Sequence, residues 1–487
     1  MKFLRVTSAG LAVTVMLVSA GCGSDDDGGD AGSAVSTATD STATDSTATD
    51  STATDSTATD STATDSTATD STAAASGEVV RLDFWAPVAD EAGKAVTEKL
   101  VQEFNDTHEN VQIDLRIVTT EFRPVIRNAF TAGDPPEIWN QEGYNDLFDY
   151  VKEGLIPDIT EWWDQPGNGD RFAKAGWPSV TYEGKMYGIP QVNYVTNQIF
   201  YNATILEENG IDPASLATWD DYLAAFEKLS AAEVTPVIYG NRDGWPGSEW
   251  FYNFLAKQVG ANHITQLAAR NCGYKWTDPE VVAAAQLYVD VSDKGYFSEG
   301  KASDDWNVAN AAFLAGKGAF YYMGNWFFAS ILAVPNADEF GMNPWPTLAG
   351  GAGGAEDLLV STEGLTLSNA VDTPAKKEAA LTFLDWWSAV PQEKQKVAAG
   401  SLSAVTEAND PTLQDRFSAQ AAAQLKTAEN VFPFVEHIVP LTVGEDSIWK
   451  GSIGVLTGQL DAQSWMESVE EAAAANDPTL TLPEDCG

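Results

Sequence analysis

The sequence predicts an α/β fold whose first strands lie parallel in one sheet, and three observations carry that expectation. Apolar residues alternate with polar ones at Val80, Leu82 and Phe84, and again at Val111, Ile113, Leu115 and Ile117, the two-residue period of a strand. Between them Val96, Leu100 and Phe104 recur at every fourth position, the apolar stripe of a helix packed on one face. After Gly77 the chain runs on to Gly487, long enough for two domains with complete cores.

The stretch before that folded part reads as address and tether. Lys2 and Arg5 precede an apolar run from Leu11 to Val18, then the small residues Ser19, Ala20 and Gly21 before Cys22. This is the pattern of a secretory signal, and the run is too short for a bilayer, which needs about 20 residues. The small residues before the cysteine resemble the lipobox of bacterial lipoproteins, although Ser19 replaces the usual Leu or Val. That resemblance implies a signal peptide over residues 1–21 and acylation of Cys22. In residues 22–77 seven uninterrupted copies of Ser-Thr-Ala-Thr-Asp run from Ser36 to Asp70, and Val35 is the only sizeable apolar residue. With nothing to bury, the segment is expected to be disordered. As a coil it would span roughly 40 Å and hold the folded part off the membrane, outside the cell.

Composition narrows the function classes. The formal net charge is −44, and residues 78–487 hold 25 basic and 60 acidic residues. Such a surface repels nucleic acid and anionic lipid and disfavours phosphorylated ligands. Cys272 and Cys486 form an even pair outside the cell, either one disulfide or two free thiols. His108, His263 and His437 sit in no metal-ligand spacing, and there is no nucleophile elbow, phosphate loop, CxxC or EF-hand pattern. No metal, cofactor or enzyme activity is expected. All sixteen tryptophans fall in the folded part, and flat rings with a polar edge suit the apolar faces of sugars. Trp386 and Trp387 read as helix packing, whereas Trp245, Trp250, Trp326 and Trp345 lie beside Gly, Pro or Asn in expected loops.

Further along, a helix from about Phe122 to Thr131 ends at Gly133-Asp134-Pro135-Pro136, and a short strand follows at Glu137–Trp139. Strand, helix, strand, helix, strand at this spacing reads as βαβ units. Ligands of such sheets sit beyond the carboxyl ends of the strands, here residues 85–91, 119–121 and 140–144. More helices are expected at about Trp219–Ala231, Glu280–Lys294, Val308–Leu314, Pro374–Val390 and Asp461–Ala475. The Pro344–Pro346 turn and Gly350–Gly354 mark a boundary or crossing.

Several phrases then occur in a telling order. They are Leu82-Asp83-Phe84-Trp85, Phe104-Asn105, Phe130-Thr131-Ala132-Gly133-Asp134-Pro135-Pro136-Glu137, Gly154-Leu155-Ile156-Pro157-Asp158, Tyr187-Gly188-Ile189-Pro190, Phe200-Tyr201-Asn202 and Thr218-Trp219-Asp220-Asp221. The run from Ala312-Phe313-Leu314-Ala315-Gly316 to Gly324-Asn325-Trp326 completes the set. Together they resemble the extracellular solute-binding proteins of carbohydrate ABC importers, the family of maltose-binding protein, over nearly all of Val79 to Ala475. The resemblance implies an α/β, two-lobed periplasmic-binding-protein-like fold of type II, with three interlobe crossings near Gln191–Tyr194, Trp345–Leu348 and Ser388–Gln392. Lobe 1 would comprise residues 78–192 and 346–390, and lobe 2 residues 193–345 and 391–485.

Carried across position by position, the resemblance places Trp85, Asp90 and Glu91 after the first strand, Glu121 after the second, and Gln141, Glu142 and Tyr144 after the third. It places Asn193 and Tyr194 at the first crossing and Asp243, Trp245, Trp326 and Trp449 in lobe 2. Aromatics would bury sugar faces while carboxylates and amides take hydroxyls, and hinge closure would present both lobes to a membrane permease. The sequence departs from maltose binders after Pro190, after Trp139 and at Glu363, so the particular solute stays open. The expected protein is a lipid-anchored, monomeric sugar binder on the outer face of the cytoplasmic membrane, its partners a carbohydrate and an ABC permease. The alternatives are a ligand-binding sensor, a binder of a polyol or another non-sugar solute, and a secreted glycoside hydrolase with paired carboxylates.

Overall fold

A computed structural model describes residues 79–486 apart from 88–90, 120–121, 429 and 481–483. The signal peptide, Cys22 and the repeat tether lie outside the described residues, as do Asp90 and Glu121; of Glu91 only the backbone is described. Strand β1 (Val80–Pro87) pairs in parallel with β2 (Val111–Val118) and β3 (Ile138–Glu142). Helices α1 (Glu91–Thr107), α2 (Phe122–Ala132) and α3 (Asn145–Lys152) follow the three strands in turn. On β1 the alternation is literal: Leu82, Phe84 and Ala86 are buried while Arg81 and Asp83 are exposed. Phe84 meets Phe383 and Trp387 of the helix Pro374–Trp387 at 5.4 and 5.3 Å between ring centroids. Burying one such side chain stabilises the fold by about 1.5–3 kcal/mol.

After the small hairpin of β4 (Thr181–Tyr182) and β5 (Lys185–Met186), β6 (Gly188–Val195) completes the first sheet and β7 (Gln198–Asn202) enters the second. That second sheet also contains β8 (Val237–Ile238), β9 (Phe320–Tyr322) and β10 (Phe340–Pro344), in the order β10-β7-β9-β8. The first sheet runs β12-β11-β3-β1-β2, where β11 is Asp357–Leu367 and β12 is Asn430–Phe432, and β6 lies on the free edge of β11.

Strand β11 is buried at every residue because it serves both lobes. Leu365 and Leu367 join the lobe 1 core with Trp139 and Trp387. Leu358 and Val360 pack instead with Phe200, Phe327 and Phe417. The chain thus changes lobes at Thr196–Asn197, between β6 and β7, and again between Trp345 and Glu356. The third passage corrects the Ser388–Gln392 expectation. Val397, Ala404, Val405 and Ala408 still pack in the lobe 1 core, whereas Phe417 and Ala421 belong to lobe 2, so the crossing falls between Ala408 and Phe417. Two of the tryptophans expected in loops are core residues. Trp250, inside the helix Trp245–Val259, and Trp345 are each 2% exposed and meet edge to face at 5.1 Å. Cys272 and Cys486 are joined by a disulfide, with Cα atoms 5.6 Å apart.

Candidate ligand-binding cleft

The lobe 1 side of the cleft is built from strand ends. Trp85 closes β1 beside Trp139 of β3 and Arg116 of β2 in register, and the Arg116 guanidinium lies 4.1 Å above its ring. Gln141 is buried, and its polar atoms are engaged within its own strand. Its Oε1 accepts from Trp139 Nε1 at 2.7 Å and its amide donates to Glu142 O at 3.1 Å. Gly143 is pressed against Ser179, where a Cβ would stand 2.4 Å from the serine Cβ. This close approach turns the chain so that Tyr144, at φ 60°, opens α3. The Tyr144 ring packs against the cores of both lobes, and burial pushes its hydroxyl up to about 12.

At the hinge, β6 and β11 set Asn193 opposite Thr362 and Tyr194 opposite Ser361. Thr362 Oγ1 donates to Asn193 Oδ1 at 3.1 Å, and Asn325 Nδ2 donates to Asn193 O at 3.2 Å. Tyr194 donates its hydroxyl to Glu363 Oε2 at 2.5 Å. Glu363 is only 5% exposed, and burial raises its pKa.

A row of rings runs from the hinge strand into lobe 2. Tyr194 meets Trp326 edge-on at 5.4 Å, Trp326 meets Trp245 at 5.7 Å, and Trp245 meets Trp306 at 6.1 Å. All four rings are partly exposed, so they form a wall and not a sealed core. Trp306 was not anticipated, yet a signal existed: it follows Asp304-Asp305, and Asp305 caps the helix Trp306–Leu314 through Val308 N at 2.9 Å. Asp243 is exposed and pairs with Arg242 at 3.3 Å, and Arg242 also reaches Asp305, the residue before Trp306, at 2.9 Å.

Trp449 belongs to a different group. Gly244, at φ +86°, lies so close that a Cβ there would sit 2.9 Å from Trp449 Cβ. On the other side the Arg123 guanidinium stands 5.4 Å from the Trp449 ring centroid. Among the described residues the buried Trp449 Nε1–H meets no acceptor. Arg123 pairs with Glu142 and reaches Asp146 Oδ2 at 3.2 Å and Glu445 Oε1 at 2.7 Å. His437 joins them, with Nε2 3.1 Å from Arg123 Nη2 and Nδ1 2.8 Å from Ser361 Oγ. The same Nε2 lies 3.1 Å from Glu142 Oε2, and burial lowers the His437 pKa. Glu142, Asp146 and His437 converge like metal ligands, and the cation among them is the guanidinium. Arg123, His437 and Glu445 carry no motif; 322 positions separate Arg123 from Glu445.

Two α/β lobes joined by three passages, with aromatic and charged side chains gathered where they meet, define a binding protein of the periplasmic type. The family profile of bacterial extracellular solute-binding proteins matches residues 86–394, and the chain belongs to that family. It is 26% identical to an ABC transporter extracellular-binding protein of Pyrococcus horikoshii over 63% of this chain and 70% of that one. With a xylose/arabinose-binding protein of Haloferax volcanii it shares 23% identity over 72% of this chain and 76% of the other. Among solved structures, a chitin oligosaccharide binding protein superposes with TM-score 0.75 at 22% identity, covering 82% of this chain and all of that one. A maltose-bound structure from T. maritima gives 0.69 at 19% identity, covering 82% and 100%.

Proposed function

We propose that this protein captures a sugar or oligosaccharide between its lobes and delivers it to the permease of an ABC importer, working as a lipid-anchored monomer on the outer face of the cytoplasmic membrane. The observation that carries the reading is the partly exposed wall of Tyr194, on the hinge strand β6, with Trp326, Trp245 and Trp306 of lobe 2. Sugar rings present C–H faces that stack on such walls, and the hydroxyls at their rims require polar partners. Asn193, beside Tyr194 on β6, and Glu142, opposite Glu363 of β11, are the polar candidates. Asn193 and Tyr194 lie on the strand that leads into the first passage, so a solute held there also bears on the hinge. Relatives named for xylose, arabinose and arabinooligosaccharides support a neutral carbohydrate. The excess of carboxylates supports the same choice over anionic solutes.

The test is a thermal-shift and tryptophan-fluorescence screen of residues 78–487 against mono- and oligosaccharides. A ligand at a hundred times its Kd stabilises by about 2.7 kcal/mol, well within detection. A sugar that binds and is recovered intact is the expected result. Polyols or peptides binding where sugars do not would overturn the choice of solute, and released hydrolysis products would overturn the transport reading.

A further inference from the structure

Tyr194 and Trp326 are held to one another at two points, and each has its own cause. The first is backbone. Buried Asn325 donates to Asn193 O at 3.2 Å and accepts from Val195 N at 2.9 Å, so the residue before Trp326 grips β6 on both sides of Tyr194. The second is the tip of the ring, where the Tyr194 hydroxyl donates to Glu363 Oε2. Tyr194 stands opposite Ser361 in the ladder, and Glu363 lies two residues further along β11. Such diagonal neighbours share a face of the sheet, within reach of long side chains. Just beyond Glu363 the register shifts, with Gln191 the extra residue on β6, and a bulge of this kind re-aims the side chains beside it. Gln191 is fixed in turn: its carbonyl accepts from Ala404 N at 2.9 Å and its Oε1 from Trp387 Nε1 at 3.0 Å.

We propose that Glu363 is the positioning residue of the aromatic wall: it holds the Tyr194 ring edge-on to Trp326, so that a sugar meets a stacking surface already formed. This deepens the carbohydrate reading and rests on it. A tyrosine ring can turn about two side-chain bonds, and the backbone grip of Asn325 fixes neither. An acceptor at the tip restrains both. Glu363 suits that task because it cannot follow the ring. It is 5% exposed, on a strand enclosed between β3 and β6, opposite Glu142 on one side and Val192 on the other. A buried carboxyl also costs stability that an apolar side chain of similar size would not. Both rings nevertheless stay partly exposed, so the hydrogen bond serves a surface and not only the core. Ordering the ring before capture spares the entropy that binding would otherwise lose in ordering it.

Fluorine NMR of the full-length chain, with meta-fluorotyrosine at position 194 and no sugar present, tests the assignment. In the wild type the resonance should stand away from its position in the urea-unfolded chain, displaced by the ring current of Trp326. Trp326→Leu should remove most of that displacement. Glu363→Leu fills the space without offering an acceptor and should lose the displacement likewise; Glu363→Ala is the second variant should the first fail to fold. Glu363→Gln keeps an oxygen for the hydroxyl and should restore the wild-type position. Adding Trp326→Leu to Glu363→Leu should then change little. A resonance that holds its wild-type position in Glu363→Leu or Glu363→Ala would mean that packing alone orients the ring, and would overturn the proposal. So would a Glu363→Gln resonance that coincides with that of Glu363→Leu. Because no sugar enters the measurement, the anchoring of Tyr194 can fail while the carbohydrate reading stands, and the reverse.

Discussion

Trp326 stands in the middle of the aromatic wall, edge-on to Tyr194 and Trp245, with its Nε1–H 3.0 Å from the Met323 sulfur. A ring whose polar edge is already engaged can offer a solute little but its apolar surface. Trp326→Ala should therefore weaken sugar binding by about 1–3 kcal/mol, read by titration calorimetry; unchanged affinity would remove it from the site. Buried carboxylates yield a second prediction. Burial raises the pKa values of Glu249, Glu363 and Glu436 above the ordinary 4.5. The folded state then holds protons that the unfolded state releases, so this stabilisation is complete below about 4.5 and is lost as pH rises through the folded values. Asp221 and Asp410 act oppositely: hydrogen bonds from Thr218 and Thr412 lower them, and their contribution is lost only in stronger acid. Burial also lowers the pKa values of His263 and His437, which costs stability as pH falls below about 6.5. The carboxylate effect is therefore read by difference: the unfolding temperature of the wild type minus that of Glu249→Gln should rise as pH is lowered from 7 toward 5. A difference independent of pH would contradict the assignment.

Among the elements, the helix Trp219–Ala231 was legible down to its first residue, because its start signal is local. Thr218 Oγ1 accepts from Asp221 N at 3.3 Å, while Asp221 Oδ2 accepts from Thr218 N at 2.8 Å, a reciprocal cap. Thr218→Ala should cost about 1 kcal/mol, measured by urea unfolding; a loss under a few tenths would mean that packing alone fixes this end. The helix expected over Pro374–Val390 was read too long for an equally local reason. It stops at Trp387, and a new helix, Val390–Ala398, begins with Pro391 in its first turn, where a missing N–H costs nothing. The Pro246-Gly247 pair that suggested a loop around Trp250 likewise sits in a first turn, at the start of Trp245–Val259.

At the scale of the whole molecule, charge and topology govern. With 60 acidic against 25 basic residues in the folded part, self-repulsion opposes compaction, and salt screens it. Raising salt from low ionic strength to about 0.5 M should raise the unfolding temperature; a fall would mean that favourable ion pairs outweigh the repulsion. Periodicity and phrase order, both local, were enough to establish the α/β class, the family, the three parallel strands of the first sheet and several of the longer helices. They also showed where aromatic side chains abound. Local pattern could not say which tryptophans face the cleft: Trp250 and Trp345 lie in the core, while Trp245, Trp306 and Trp326 form the wall. Nor could it select Glu445 for Arg123 from so many acidic residues, or carry lobe 1 past residue 390 to Ala408. Those outcomes depend on which distant segments pack together once β11 has joined the lobes, and that choice belongs to the burial of whole surfaces, which no window of neighbouring residues records.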